Sequence, residues 1–479
     1  MQVQPGKTLS IGGYEKVIKK LLLIAVISLW LLNGPLTGSA LAEEAAKNPI
    51  DTGDTAWMLI SSGLVLFMTP GLAFFYGGLV RSRNVLNTMM MSLILMGIVG
   101  VTWVLWGYSL AFDIDPSKLN AKGFASGLDA LIGGLDWTFL NNVGADKPDP
   151  VGYAGTIPHQ LFMVYQMMFA IITPALISGA IVERVTFKTY FWFIILWSTF
   201  IYSPLAHWVW GRGWLAALGS LDFAGGTVVH ISSGISAVVA AWMIGPRKDF
   251  LTRPHAPHNV PYVLLGIGML WFGWMGFNGG SALASGSLAT VAFVTTTVST
   301  AAGGLTWVII EWVMRGKPTA VGIASGFLAG LVGITPAAGF VTPIGALLIG
   351  SITSVCCFFA VSWRAKLEFD DSLDTYPVHG VGGTIGALLT GVFATKSVNP
   401  AGNDGLLFGN PILLWDQFVG VVATYIFAAL GTFVILKILG YFMELRVKPM
   451  DEDQGLDIGQ HGEEGYGKDF ASGMSFGKE

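Results

Sequence analysis

The chain has 479 residues, of which 53% are hydrophobic and only 12% charged, with a formal net charge of −4. A soluble domain carries about 25% charged residues, so this chain lacks the polar surface to cover a globule in water and is expected to be a polytopic membrane protein. The small, dispersed charge leaves no basic footprint for a nucleic acid, and the two cysteines, Cys356 and Cys357, are adjacent in an apolar run, where they read as packing residues rather than a disulfide or a metal site.

At the N-terminus, Lys16, Lys19 and Lys20 precede the apolar run Leu21–Leu32, and Ala40-Leu41-Ala42 matches a small-residue cleavage site. Residues 1–42 are therefore expected to be a signal peptide, with the mature chain starting at Glu43. The other reading is an uncleaved extra helix. Crossing the ~30 Å hydrocarbon layer takes about 20 apolar residues. Eleven such segments follow: Ala56–Val80, Leu86–Phe112, Gln160–Val182, Thr189–Val209, Gly226–Ile244, Val260–Phe277, Ala289–Met314, Ala320–Thr335, Pro343–Ser362, Val378–Ala394 and Phe418–Phe442. Basic residues gather in alternate loops: Arg81 and Arg83, Arg184 and Lys188, Arg247, Lys248 and Arg253, Arg315 and Lys317, Arg364 and Lys366. Positive loops face the cytoplasm, so the mature N-terminus is expected outside and the C-terminus inside. Residues 443–479 are polar and acidic and are expected to form a cytoplasmic tail after the transport domain of residues 43–442.

Two stretches place ionisable groups inside apolar segments. In LDFAGGTVVHISSG, Asp222 lies eight residues before His230; in DSLDTYPVHGVGG, Asp371 lies eight residues before His379. His230 sits near the start of the fifth segment and His379 near the start of the tenth. Five segments per half give the halves opposite orientations, an inverted repeat that places a site near the membrane midplane. The expected fold is thus all-α: eleven transmembrane helices, an inverted 5+5 repeat and a peripheral eleventh helix. Eight helical residues rise about 12 Å, so both histidines are expected near the middle of the slab, reached from opposite sides. Ionisable groups at that depth mark a pathway by default. Two neutral imidazoles, each with one donor and one acceptor, can pair there and pass a proton; the plainer alternative is that each only joins helices. Asp222 and Asp371 precede apolar helices and read first as N-caps, with direct cation coordination as the other reading. His159 and His207 lie near segment ends and are expected at the interfaces. His255, His258 and His461 receive no role.

These stretches resemble the ammonium transporter family (Amt/Mep/Rh). DFAGGTVVHISSG, YQMMFAIITPALISGAIVER, PLAHWVWGRGWLA, WFGWMGFNGGSA, GLVGITPAAGFV, DTYPVHGVGGTIGALLTGVFA and RVKPMDEDQGLDIGQHGEEGY follow in the family's order over nearly the whole mature chain. The signal-like start and the tail are similar to the Amt branch rather than the Rh branch. The resemblance implies a homotrimer with one pore per subunit in the inner (cytoplasmic) membrane, transporting ammonium or ammonia without a cofactor or enzymatic step. It implies that Trp210 and Ser281 recruit ammonium, with Phe169 and Tyr165 adding rings. Phe169 and Phe277 gate the entrance, His230 and His379 line the pore and relay the proton, Trp274 belongs to the pore wall, and Asp222 has a structural and electrostatic role. It also implies that the tail regulates transport and that a PII-type signalling protein docks on the cytoplasmic face. An electroneutral Rh-type ammonia or carbon dioxide channel and an ammonium sensor stand as alternatives.

Overall fold

The computed structural model describes residues 49–466 apart from 251, 253, 254 and 368. The expected signal peptide and the end of the tail lie outside the described residues. Among those described, the only extended pairing is an isolated bridge between Val185 and Arg446, and nine helices are long and apolar enough to cross a membrane.

The helices are α1 (Thr52–Leu79), α2 (Val85–Thr102), α3 (His159–Ile181), α4 (Phe187–Trp197), α5 (Ser232–Ile244), α6 (Val260–Gly279), α7 (Ser287–Arg315), α8 (Ala320–Ile334), α9 (Pro343–Arg364), α10 (Val381–Phe393) and α11 (Pro411–Phe442). The short ones, α8 and α10, complete the eleven. Wide π turns prolong α2 at Trp103–Gly107 and α4 at Ser198–Tyr202, and open α5 at Gly226–Ile231 and α10 at Tyr376–Gly380. Capping explains where several begin. Asp51 accepts the N–H of Asp54 ahead of α1, and Thr319 and Thr342 do the same for α8 and α9.

α11 begins seven residues earlier than expected from Phe418. Pro411 supplies its first helical residue and Asn410 its cap, and the polar pair Asp416–Gln417 lies inside the helix. Gln417 tolerates that place because its amide is fully used: it accepts from Leu221 N at 2.6 Å and Ser220 Oγ at 2.9 Å, and donates to Leu221 O and Ala387 O. That amide ties α11 to the lead-in of α5 and to α10.

The inverted repeat is visible in the packing. α1 packs on α3 and α3 on α5; α6 packs on α8 and α8 on α10. α2 contacts α3 and α4 in one half as α7 contacts α8 and α9 in the other. α11 lies against α4, α5 and α10 outside this pattern. The halves meet where α5 passes the π turn of α10. A Cβ at Gly234 would collide with the backbone of Gly380, so only glycine permits that crossing. The outer wall is apolar: Trp242, Trp312, Trp363 and Trp415 are exposed, as suits a surface solvated by lipid.

The end carrying the basic loops is held by buried ion pairs. Glu183 meets Arg81 at 2.9 Å and Arg247 at 2.8 Å, and Arg247 also grips Asp370 at 2.7 Å. Arg184, fully buried, donates to the carbonyls of Gly245, Ala180 and Asp370. The tail closes over this cluster. Arg446 pairs with Glu452 at 2.7 Å, and Asp457 reaches the start of α2. Asn84, in the cap position of α2, makes no side-chain bond to its own helix. Instead Asp457 Oδ1 accepts the N–H of Asn87 at 2.8 Å, and Asn84 Oδ1 accepts from Leu456 N at 2.8 Å. The tail therefore caps α2 from outside. Asp457→Ala is expected to cost about 1 kcal/mol, the usual worth of an N-cap, and to speed proteolysis within residues 443–466. Thermal unfolding in detergent and limited proteolysis check this, with Asp457→Asn keeping most of the stability.

Candidate functional site

Three connected features run through the bundle between the two repeats. The first is a cavity of about 420 Å³ at the end opposite the tail, lined by Phe169, Trp210, Ser281, Phe162, Gln166 and neighbouring rings. Trp210 ends the helical stretch after α4, and its Nε1 donates to Asp222 O at 2.9 Å. That bond fixes the indole at 80° to the ring of Phe169, 5.8 Å away. Ser281 donates its hydroxyl proton to Phe277 O at 2.8 Å, so what it offers the cavity is an acceptor lone pair. An aromatic wall with the Ser281 acceptor suits a small cation that donates N–H bonds.

The second feature is the floor of that cavity. Phe169 and Phe277 lie 4.3 Å apart, both almost fully buried. Behind them is a void of only about 10 Å³, lined by Met68, Leu72, Val229, Trp274, His230 and His379 among others. That is barely the room one water-sized molecule needs. His230 and His379 face one another there, Nδ1 to Nδ1 at 3.2 Å, with rings 21° from parallel. One Nδ1 must carry the proton and the other accept it, so the bond excludes a doubly charged pair and can form between two neutral rings. His230 Nε2 is buried with no hydrogen-bond partner among the described residues. The ring also stacks on Trp274 at 5.4 Å, whose Nε1 donates to Thr335 Oγ1 at 2.9 Å. Each histidine sits in one of the two matched π turns, a distortion rare in proteins and frequent at functional sites.

The third feature is a cavity of about 540 Å³ at the tail end, lined by His379, Leu328, Ser325 and Thr375 and by three ion-paired arginines, Arg247, Arg315 and Arg364. His379 lines both this cavity and the central void.

Asp222 and Asp371 are caps. Asp222 accepts from the N–H groups of Gly225, Gly226 and Thr227 and from the Thr227 hydroxyl; Asp371 accepts from Thr375 N at 3.0 Å and Tyr376 N at 2.7 Å. Neither lines one of the cavities above, so each acts by holding a histidine-bearing turn. Tyr165 lies behind the wall of the first cavity rather than on it. It is fully buried, and its hydroxyl touches Gly276 O and Phe277 O at 2.9 Å and Ser281 Oγ at 3.2 Å. His159 and His207 lie near helix ends and are buried within the protein: His159 bonds Tyr108 at 2.7 Å, and His207 bonds the carbonyls of Ala111 and Asp129. The long segment after α2 folds over both, and nothing local in the sequence announces that cover. His258 and His461 also have partners, Val80 O and Asn87 Nδ2.

Residues 56–466 match the model of the Ammonium Transporter Family. The chain belongs to that family. It is 49% identical over 415 residues to the ammonium transporter of Bacillus subtilis (strain 168), covering 86% of this chain and 98% of that protein. It is 44% identical over 414 residues to ammonium transporter Amt1 of Archaeoglobus fulgidus, covering 86% and 99%. Among solved structures it is similar to Saccharomyces cerevisiae Mep2, with a TM-score of 0.77, 37% identity and coverage of 84% and 88%. It is also similar to a sensor Amt protein, with a TM-score of 0.76, 30% identity and coverage of 85% and 98%. As an ammonium transporter family member it is a multi-pass membrane protein and not an enzyme.

Proposed function

We propose that this transporter recruits ammonium between Trp210, Phe169 and the Ser281 acceptor, strips its hydration at the Phe169–Phe277 gate, and passes it as ammonia past His230 and His379. The proton travels separately over the paired imidazoles. One observation carries the reading: the void behind the gate is apolar except for two bonded histidines, one with an unpartnered nitrogen. A charged side chain at membrane depth costs about 2.5–3.5 kcal/mol on insertion scales, and a bare cation there costs at least as much. Ammonia carries no such cost, and the imidazole pair gives the released proton a place to go. Tyr165 and Trp274 position Ser281 and His230 rather than contact ammonium, and Asp222 and Asp371 hold the turns.

The basic loops support an orientation with the Trp210 cavity outside and the tail in the cytoplasm, and the basic-apolar-small start of the sequence supports signal cleavage near Glu43 and residence in the inner membrane. The sequence resemblance extends the reading to a homotrimer, and to a PII-type partner on the tail face.

Trp210→Leu tests the entrance. A cation–π contact is worth ~0.5–2 kcal/mol, so the apparent affinity for ammonium in proteoliposomes is expected to weaken about tenfold while the maximal rate changes little. A loss of maximal rate at unchanged affinity would place Trp210 outside the recruitment step.

A further inference from the structure

The entrance cavity of this cation transporter contains one charged lining side chain, and it is a cation. Arg212 lies on the wall with Trp210 and Ser281, among rings, aliphatic groups and the neutral Gln166. Among the described residues no carboxylate pairs with it. Its partners are neutral: Nη2 donates to Gly152 O at 3.1 Å, and the guanidinium lies 5.7 Å from the ring centroid of Tyr153. Its own carbonyl accepts from Ala125 N at 2.9 Å. The backbone is left-handed at φ 64°, between Gly211 and Gly213, a conformation that costs a non-glycine residue about 1 kcal/mol or more. An arginine is thus held in a strained place by one hydrogen bond that a neutral donor of similar length could make and by one contact of its charge with the Tyr153 ring. What glutamine or glycine would not supply is the permanent charge.

We infer that Arg212 sets the affinity of the entrance: its uncompensated guanidinium opposes the capture of every monovalent cation. Entry then depends on what ammonium alone offers among such ions, four N–H donors for the Ser281 acceptor together with attraction to the aromatic faces. Sodium and potassium meet the same repulsion and lack the hydrogen bonds. The inference rests on the reading of this cavity as the entrance.

Across a cavity of this size, at a dielectric near that of water, Coulomb repulsion amounts to about a two- to fivefold effect on affinity, and it fades as salt shortens the screening length. Transport into proteoliposomes is to be measured for the wild type, Arg212→Gln, Arg212→Lys and Trp210→Leu, at low and high ionic strength set with a bulky organic cation. Arg212→Gln should strengthen the apparent affinity for ammonium about two- to fivefold at low salt, make potassium a better competitor by a similar factor, and converge on the wild type at high salt. Arg212→Lys should retain wild-type behaviour. The wild type alone should bind ammonium more tightly as ionic strength rises, a readout that needs no variant to fold. If glutamine and lysine both weaken transport, or glutamine leaves affinity and its salt dependence unchanged, Arg212 is only a clamp on the loop and the inference is overturned. If Trp210→Leu also leaves affinity unchanged, the entrance reading falls with it; a weakened Trp210→Leu beside an unaltered Arg212→Gln overturns the Arg212 inference alone.

Discussion

Leucine in place of His230 should remove the ammonium-driven current almost entirely while leaving the fold intact. The substitution keeps the bulk but deletes the 3.2 Å bond to His379 and the unpartnered nitrogen beside the void. The relay then keeps only the His379 imidazole, with no second ring to take the proton from it, and a cation must cross as a cation. At about 2.5–3.5 kcal/mol for a charge at the membrane centre, that is about a 100-fold loss. The structural cost is small by comparison, about 1 kcal/mol for the lost hydrogen bond. A size-exclusion profile and melting curve close to the wild type, together with a collapsed current, would show that the histidine acts in conduction. An unchanged current would remove the imidazole pair from the mechanism and leave it as helix glue. Asparagine offers a donor and an acceptor but cannot be protonated, so His230→Asn should keep the stability and still lose the current.

The largest stability effect is expected at the tail face. Arg247→Met strips the shared partner from Glu183 and Asp370, both buried. Removing one member of a buried ion pair typically costs about 3–5 kcal/mol; here Glu183 keeps Arg81 and Asp370 keeps Arg184, which holds the cost at about 3 kcal/mol. The variant should melt far below the wild type. The same cluster gives the protein an acid limit. Burial pushes the Glu183 carboxyl up, but Arg247 and Arg81 outweigh it and hold it down at about 2 against an ordinary 4.5. A depressed carboxylate contributes stability that is complete above its unfolded value and lost as pH falls through the folded one. The contribution of Glu183 should therefore be complete above about pH 4.5 and fade toward pH 2. Asp370, also lowered by Arg247 and Arg184 against the pull of burial, adds to the same trend. In Arg247→Met that acid dependence should weaken without vanishing, since Arg81 still faces Glu183 and Arg184 still faces Asp370. A variant as stable as the wild type at neutral pH would mean that the cluster is relaxed by water rather than locked.

The helices were legible in the sequence because hydrocarbon imposes a length, and ten of the eleven observed helices begin within a few residues of the apolar segments. Where α11 departs from its expected start, the cause is a side chain: Gln417 satisfies its amide on Leu221 and Ala387 and so keeps a polar residue inside the helix. The His230–His379 pair was legible because the Asp-to-His spacing repeats in inverted contexts, and the structure brings the two rings together. The π turns that carry them were not, since a single extra residue in a helical turn leaves no periodic trace. Tyr165 shows a second limit. The family resemblance suggests that it adds a ring to the recruitment site, but only the packed structure shows its hydroxyl facing the carbonyls of Gly276 and Phe277, with the ring buried behind the wall. The tail shows a third. Asp457 caps a helix that lies 370 residues away, a contact no local pattern encodes.

The most direct measurement is the current across proteoliposomes given a pulse of ammonium, with potassium as the control and internal pH followed in parallel. A saturable inward current with ammonium and none with potassium is the expected result, because the proposed mechanism passes only what can leave its charge to the histidine pair. No current, with rapid internal alkalinisation, would contradict it: ammonia would then cross alone, and the paired imidazoles would carry no proton.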